Sequence, residues 1–348
     1  MRGFCGRGLL AAPVGYEVSV LGFVGGLRMR AAYFTRYGGP EILSVGDRPL
    51  PRPGPGEVRV RVAAAGVNPV DWKMASGHFR WLIPVRFPAI PGFDVAGVVD
   101  AVGKRVTTLR EGDRVHARMT TLGACAEYAI IKADVVAPVP PEMPMAEAAA
   151  LPLAGMTALQ ALRDRCEMPL ANASQRVLVV GASGGVGHLA VQIAKTMGAE
   201  VVGVCSARNV EFVTGLGADS VLDYNLPDVY REQRPFDCVL DCVSDNPDAF
   251  MPLLTRRGIY AAVLPGPKVM ARSLLNILGG RRARPVMLRR SGLDLRLLDD
   301  WWQRGLLRVT LDARYPLDDV AAAWQRSMSG RTVGKIVVEV GPSGSLRE

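Results

Sequence analysis

The stretch Val177-Leu-Val-Val-Gly-Ala-Ser-Gly-Gly-Val-Gly-His188 decides the fold. Its four leading apolar residues suit a buried strand, a glycine-rich turn follows, and His188-Leu-Ala-Val-Gln-Ile-Ala-Lys195 continues with helical spacing. Small residues at 182, 184 and 187 let the backbone turn tightly, approach a pyrophosphate and bring the helix against the strand. The first amides of that helix then face the phosphates with the positive end of the helix dipole. This context predicts a dinucleotide site in which Ser183, Gly184, Gly185, Val186 and Gly187 line the phosphates.

The same residues also satisfy G-x-S-x-G, with Ser183 in the place of a hydrolase nucleophile. Such a serine needs a histidine well downstream. The chain holds only His78, His116 and His188, and none lies beyond the turn's own helix, so nucleophilic serine chemistry is set aside.

Outward from the turn the rhythm is βα. Strands are predicted over 176–181, 200–206, 220–223, 237–243 and 259–264, separated by helices, which describes a doubly wound parallel sheet. The second strand ends Val204-Cys-Ser-Ala-Arg208, without the acid that would bind a ribose 2′-hydroxyl. Ser206 and Arg208 instead offer a hydroxyl and a guanidinium for a 2′-phosphate, which favours NADPH over NADH. Upstream, Val58, Val60 and Val62 alternate with Arg59 and Arg61, and glycine turns punctuate further apolar runs, so a partly closed antiparallel β domain precedes the cofactor domain. Downstream, helices are expected over 293–304 and 317–329, and a last strand over 335–340 returns to the first domain.

The 348 residues, 49% hydrophobic and 22% charged, are enough for two sizeable cores and exclude a disordered or low-complexity chain. A net charge of +9 favours anionic partners without choosing among them. Arg281, Arg282, Arg284, Arg289 and Arg290 crowd into ten residues, a solvated basic face or a contact for an anionic membrane surface. No aromatic stacking platform accompanies them, so no nucleic acid is expected. Six cysteines without a C-x-x-C pair indicate a reducing compartment and no structural zinc, and Cys238 and Cys242, about 13 Å apart along one strand, are too distant to bridge. Residues 1–28 carry three arginines against one acid and read either as an organelle transit segment or as an extension ahead of a start at Met29.

Gly66-Val-Asn-Pro-Val-Asp-Trp-Lys73, Pro91-Gly-Phe-Asp-Val-Ala-Gly97, Ala149-Ala-Leu-Pro-Leu-Ala-Gly-Met-Thr-Ala158, the glycine turn and Gly334-Lys-Ile-Val337 together resemble the zinc-free quinone oxidoreductases of the medium-chain dehydrogenase/reductase superfamily, and within them the plant chloroplast-envelope members. The resemblance implies an α/β protein. A GroES-like, partly closed β-barrel catalytic domain at 29–150, completed by 300–341, would accompany a Rossmann domain with a doubly wound parallel sheet at 151–299. It implies an NADPH-dependent reductase of quinones or α,β-unsaturated carbonyls, as a monomer or homodimer, in a chloroplast, at its envelope, or in the cytoplasm. Zinc-dependent members carry Cys at the position of Asn68, His at that of Phe93 and a further thiolate near Leu153, and all three are replaced here. Asn68 is then expected to donate to substrate or cofactor, Thr157 to contact the nicotinamide and Lys73 to supply a proton. Tyr224 and Arg331 would flank the 2′-phosphate, and Leu264, Pro265 and Gly266 would meet the carboxamide. A non-catalytic NADPH-binding protein that uses its basic run at a membrane or on RNA is the rival reading.

Overall fold

The computed structural model describes residues 27–341; the expected leader at 1–28 lies outside the described residues except for its last two positions. The catalytic sheet is organised around the long strand Glu57–Val67. It pairs antiparallel with Asp94–Val102, with Tyr128–Lys132 and with the returning strand Lys335–Glu339. The expected alternation holds here: Val58, Val60 and Val62 are buried, while Arg59 and Arg61 face outward. Beyond Val62 a register shift ends the alternation, and Ala64 to Val67 are buried. Gly66 shows why: a Cβ there would run into the carbonyl of Ala149, so only glycine lets the helix Met145–Ala150 lie against the strand. That close approach brings the helices at 145–160 to the end of the sheet at Asn68 and Asp94.

The second sheet has six parallel strands in the order Ser220–Asp223, Glu200–Cys205, Arg176–Val180, Phe236–Asp241, Leu254–Ala262 and Arg282–Pro285. The central strand Arg176–Val180 is buried on both faces, as its unbroken apolar run requires. The order reverses beside it, which is where such sheets open a crevice for a ligand at their carboxyl ends.

Two sequence readings are corrected here. The cofactor sheet was read as five strands ending at 264, yet a sixth strand lies inside the basic run, with Ala283 pointing into the core and the flanking arginines tied down. Arg282 and Arg284 both pair with Glu167, Arg289 pairs with Asp164, and Arg281 donates to the carbonyl of Leu254. Four of the five arginines are therefore held within the chain, and the run is not a uniformly free basic face. Among the cysteines, Cys238 and Cys242 do not bridge, as expected, but the reading of a reducing compartment is corrected: Cys238 forms a disulfide with Cys166, 72 residues earlier, joining the end of the 152–165 helical segment to the fourth cofactor strand. Among the described residues no helix is long and apolar enough to cross a membrane.

Candidate active site

The phosphate turn forms as its sequence demands. The amides of Gly181 and Ala182 both donate to the carbonyl of Val204, which ties the turn to the second strand. A Cβ at Gly187 would strike the carbonyl of Gly181, so the helix Gly187–Met197 can start this close to the strand only from glycine. The amides of Gly185, Val186 and Gly187 donate to no carbonyl among the described residues and stand open at the helix start, a cradle that fits a pyrophosphate. The Oγ of Ser183 accepts from Asn209, and the Ser183 carbonyl accepts from Gly334, so the loop after the second strand and the returning segment both meet at the turn. His188 is structural. Its Nε2 accepts the Thr310 amide, so its Nδ1 carries the proton given to the Gly184 carbonyl, and burial holds its pKa down to about 4.

Along the same edge, the Tyr224 amide donates to the carbonyl of Cys205, which brings Tyr224 beside Ser206 and Arg208. Arg208 and Tyr224 are exposed and open to a ligand. Leu264, Pro265 and Gly266 follow the fifth strand half-buried, and Gly266 packs on Asp245, whose carboxylate caps the next helix through the amides of Lys268 and Val269. Arg331 is exposed, three residues before the Gly334 anchor.

The second half of the site is built around Asp94. Asn68, the residue before the helix Pro69–Ala75, donates through Nδ2 to Asp94 (2.9 Å) and to the carbonyl of Gly66 (3.4 Å). Its Oδ1 accepts from Lys335 Nζ, which also donates to the Val67 carbonyl at 2.9 Å. Both amide hydrogens are thus committed. The expectation that Asn68 donates to a ligand is corrected: it links Asp94 to Lys335. The Leu153 amide donates to the other oxygen of Asp94 at 3.1 Å, so positions 68 and 153 converge on one carboxylate, whose residue follows Phe93 in the strand. Burial pushes Asp94 up to about 6 and Asp71, which accepts the Asn68 amide, up to about 7; burial also lowers Lys335.

Thr157 is one helical turn beyond Leu153, on the same face of the helix Pro152–Gln160, and its hydroxyl has no partner among the described residues. Lys73 is half-buried, its pKa lowered by partial desolvation, with its Nζ 5.5 Å from the Trp72 ring centre and no acidic partner among the described residues. Two residues of the site were missed. Lys335 is only 4% exposed and spans from the turn to Asn68, since a Cβ at Gly185 would sit 3.2 Å from its Cδ. Arg118 lies opposite Asp94 in the sheet register and stacks its guanidinium 4.4 Å above the ring of Phe93. Lys335 was visible only as part of a motif, and Arg118 was not singled out, because the strand register that sets it opposite Asp94 leaves no sign in the sequence.

Residues 54–141 match the alcohol dehydrogenase GroES-like domain family, and residues 216–338 match the zinc-binding dehydrogenase family. The chloroplast envelope quinone oxidoreductase homolog of Arabidopsis thaliana is 37% identical over 326 residues, spanning 90% of this chain and 99% of that one. The chain belongs to the quinone oxidoreductase family of medium-chain dehydrogenase/reductases. A second relative in the family's range, the chloroplastic NADPH-dependent alkenal/one oxidoreductase of Arabidopsis thaliana, is 30% identical over 323 residues, 89% of this chain and 79% of its own. The quinone oxidoreductase structure from Coxiella burnetii superposes with a TM-score of 0.82 at 28% identity, over 90% of this chain and all of that one. The medium-chain dehydrogenase fold implies a nicotinamide cofactor, which fits the open amides of the turn.

Proposed function

We propose that the chain is an NADPH-dependent reductase of quinones and α,β-unsaturated carbonyls that works without a bound zinc. The observation that carries this reading is Lys335, which runs from the phosphate turn to Asn68 and puts a buried ammonium among the positions where zinc-dependent relatives carry ligands. An amide, a phenyl ring and an aliphatic side chain offer zinc no thiolate or imidazole, and the ammonium disfavours a second cation in the same space. When bound, the nicotinamide supplies hydride. The chain's part is to hold and orient: the amides of Gly185 to Gly187 bind the pyrophosphate, Ser206 and Arg208 take the 2′-phosphate with Tyr224 and Arg331 at its edge, and Leu264 to Gly266 meet the carboxamide. Thr157 contacts the nicotinamide, and Lys73, desolvated and short of an acidic partner, returns a proton to the reduced product. Conjugated acceptors suit such a site because they spread the charge that a metal would otherwise have to meet. The name of the alkenal/one oxidoreductase supports both the cofactor and the acceptor class, and the chloroplast names of both plant relatives support a plastid location.

Purified protein is expected to oxidise NADPH when given an enone or a quinone, and Arg208→Ala to weaken NADPH relative to NADH by about 1.5 to 3 kcal/mol. Tight NADPH binding with no turnover across both acceptor classes would leave a non-catalytic NADPH-binding protein and overturn the proposal.

A further inference from the structure

The turns at 77–83 hold a run of apolar side chains out in water. Trp81 is 87% exposed and Leu82 84%, and Ile83 and Pro84 follow them at the surface. Scattered exposed apolar residues are ordinary on a soluble protein, but several in succession are costly without a partner. Nor does the backbone beneath them lack order. Successive turns carry it out from the helix Pro69–Ala75: the His78 amide donates to the Lys73 carbonyl, the Arg80 amide to that of Gly77, and the amides of Leu82 and Ile83 both to that of Phe79. The returning limb is pinned at its base. There the Val85 amide donates to the Tyr37 hydroxyl at 3.0 Å, Phe87 packs edge-on against Tyr37 and Phe34, and Phe34 and Ala89 exchange two backbone hydrogen bonds. A firm base therefore presents an apolar tip.

The charge around the tip selects what covers it. From 72 to 93 the chain carries Lys73, Arg80 and Arg86 and no acid. Arg80 and Arg86 flank the tip in the sequence, are exposed and have no ion pair among the described residues, and the Arg80 guanidinium lies 5.1 Å from the Trp81 ring centre. On the adjoining segment Arg36 is exposed, while Glu41 turns its carboxylate onto the Gly39 amide. A second copy of this chain, with its net charge of +9, would bring these arginines against their own counterparts in a symmetric contact. An anionic bilayer suits both parts of the tip. Headgroup phosphates receive the guanidinium groups, and an indole with aliphatic neighbours settles at the boundary with the acyl chains.

We propose that the wedge at 80–86 docks the protein on an anionic lipid bilayer, with Trp81, Leu82 and Ile83 at the headgroup boundary and Arg80 and Arg86 against the phosphates. Docking of this kind is independent of turnover. The full chain is sedimented with vesicles of phosphatidylcholine alone and of phosphatidylcholine mixed with phosphatidylglycerol. Binding to the mixed vesicles is expected, and the double variant Trp81→Ser, Leu82→Ser to weaken it by about tenfold or more with thermal unfolding unchanged, since both side chains are exposed. Arg80→Gln with Arg86→Gln removes the preference for the anionic lipid, by about fivefold or more, whereas Arg290→Gln in the basic run leaves binding unchanged. Acyl chains brominated near the headgroup quench the fluorescence of the bound wild type, and Trp81→Phe, which keeps the tip apolar, binds with most of that quenching lost. No sedimentation with mixed vesicles, equal binding by the wild type and the serine variant, or quenching that survives in Trp81→Phe would overturn the proposal. So would a dimer that dissociates in the serine variant, which would make a second copy the occupant of the tip.

Discussion

The phosphate turn and the Asp94 cluster face each other across the site and are built on opposite principles. The turn is seven consecutive residues, and its recognition groups are backbone amides that become available because side chains are missing at 184, 185 and 187. The cluster gathers Asn68, Asp71, Asp94, Arg118 and Lys335 from four separate stretches of chain, and everything it does is done by side chains out of water. The first tolerates change in neighbouring side chains and fails when a Cβ is added. The second tolerates small changes of shape and fails when a charge is removed.

The sharpest way to break this contrast is Lys335→Met. It removes the ammonium from beside Asn68 and Asp94 while keeping most of the side chain's length, so Asp94 is left buried without that compensation. A loss of about 3 to 5 kcal/mol is expected from denaturant unfolding, as for other buried pairs that lose one partner. A loss below about 1 kcal/mol would mean that the cluster does not act as a charged unit. Next in size is Gly187→Ala, whose added methyl meets the Gly181 carbonyl with no room to yield, for about 1 to 3 kcal/mol together with lost cofactor binding. Gly184→Ala is the control inside the same turn: its Cβ would stand 3.3 Å from the Gly181 carbonyl, a contact that a small shift relieves. Equal costs for the two variants would show that the turn is not set by close approach.

The same contrast explains what could be read from the sequence. The parallel sheet and the turn were legible because they depend on local rhythm: a short apolar strand, small residues at fixed spacing, then an amphipathic helix. The sixth strand was not, because Arg282-Ala-Arg-Pro285 contributes one inward side chain, Ala283, and its arginines are neutralised by Glu167, which the chain supplies 115 residues earlier. The cluster was hidden for a related reason. Asp94 meets Arg118 through one strand register, and Lys335 reaches Asn68 because Ile336 pairs with Val67 in another. Register across distant strands leaves no mark in spacing. The disulfide between Cys166 and Cys238 is of the same kind, a contact made by the packing of a helix end on a strand rather than by any motif. Asn68 was singled out for the right position and the wrong task, since its type fits both donating to a ligand and bridging two buried ions, and only its neighbours decide.

The smallest expected effect separates the two regions by pH. Burial lifts Asp71 from its ordinary 3.8 to about 7, so between those values the folded chain keeps a proton that the unfolded chain has released. Folding then binds protons, and stability contributed by this carboxyl is complete below about pH 4 and declines as pH rises toward 7. His188 works in the opposite direction, because its folded pKa of about 4 lies below the ordinary 6.5 and the unfolded chain binds the extra proton in that interval. The two trends oppose each other in the wild type, and Asp71→Asn separates them, since asparagine does not titrate while His188 is common to both proteins. Between pH 5 and 7 the wild type is expected to lose stability relative to Asp71→Asn by up to about 1.4 kcal/mol per pH unit, read from paired denaturant titrations. A difference that stays flat across that range would mean that Asp71 is ionised in the folded chain, and the cluster would then be a salt-bridged network like those on the surface rather than a carboxyl kept neutral by burial.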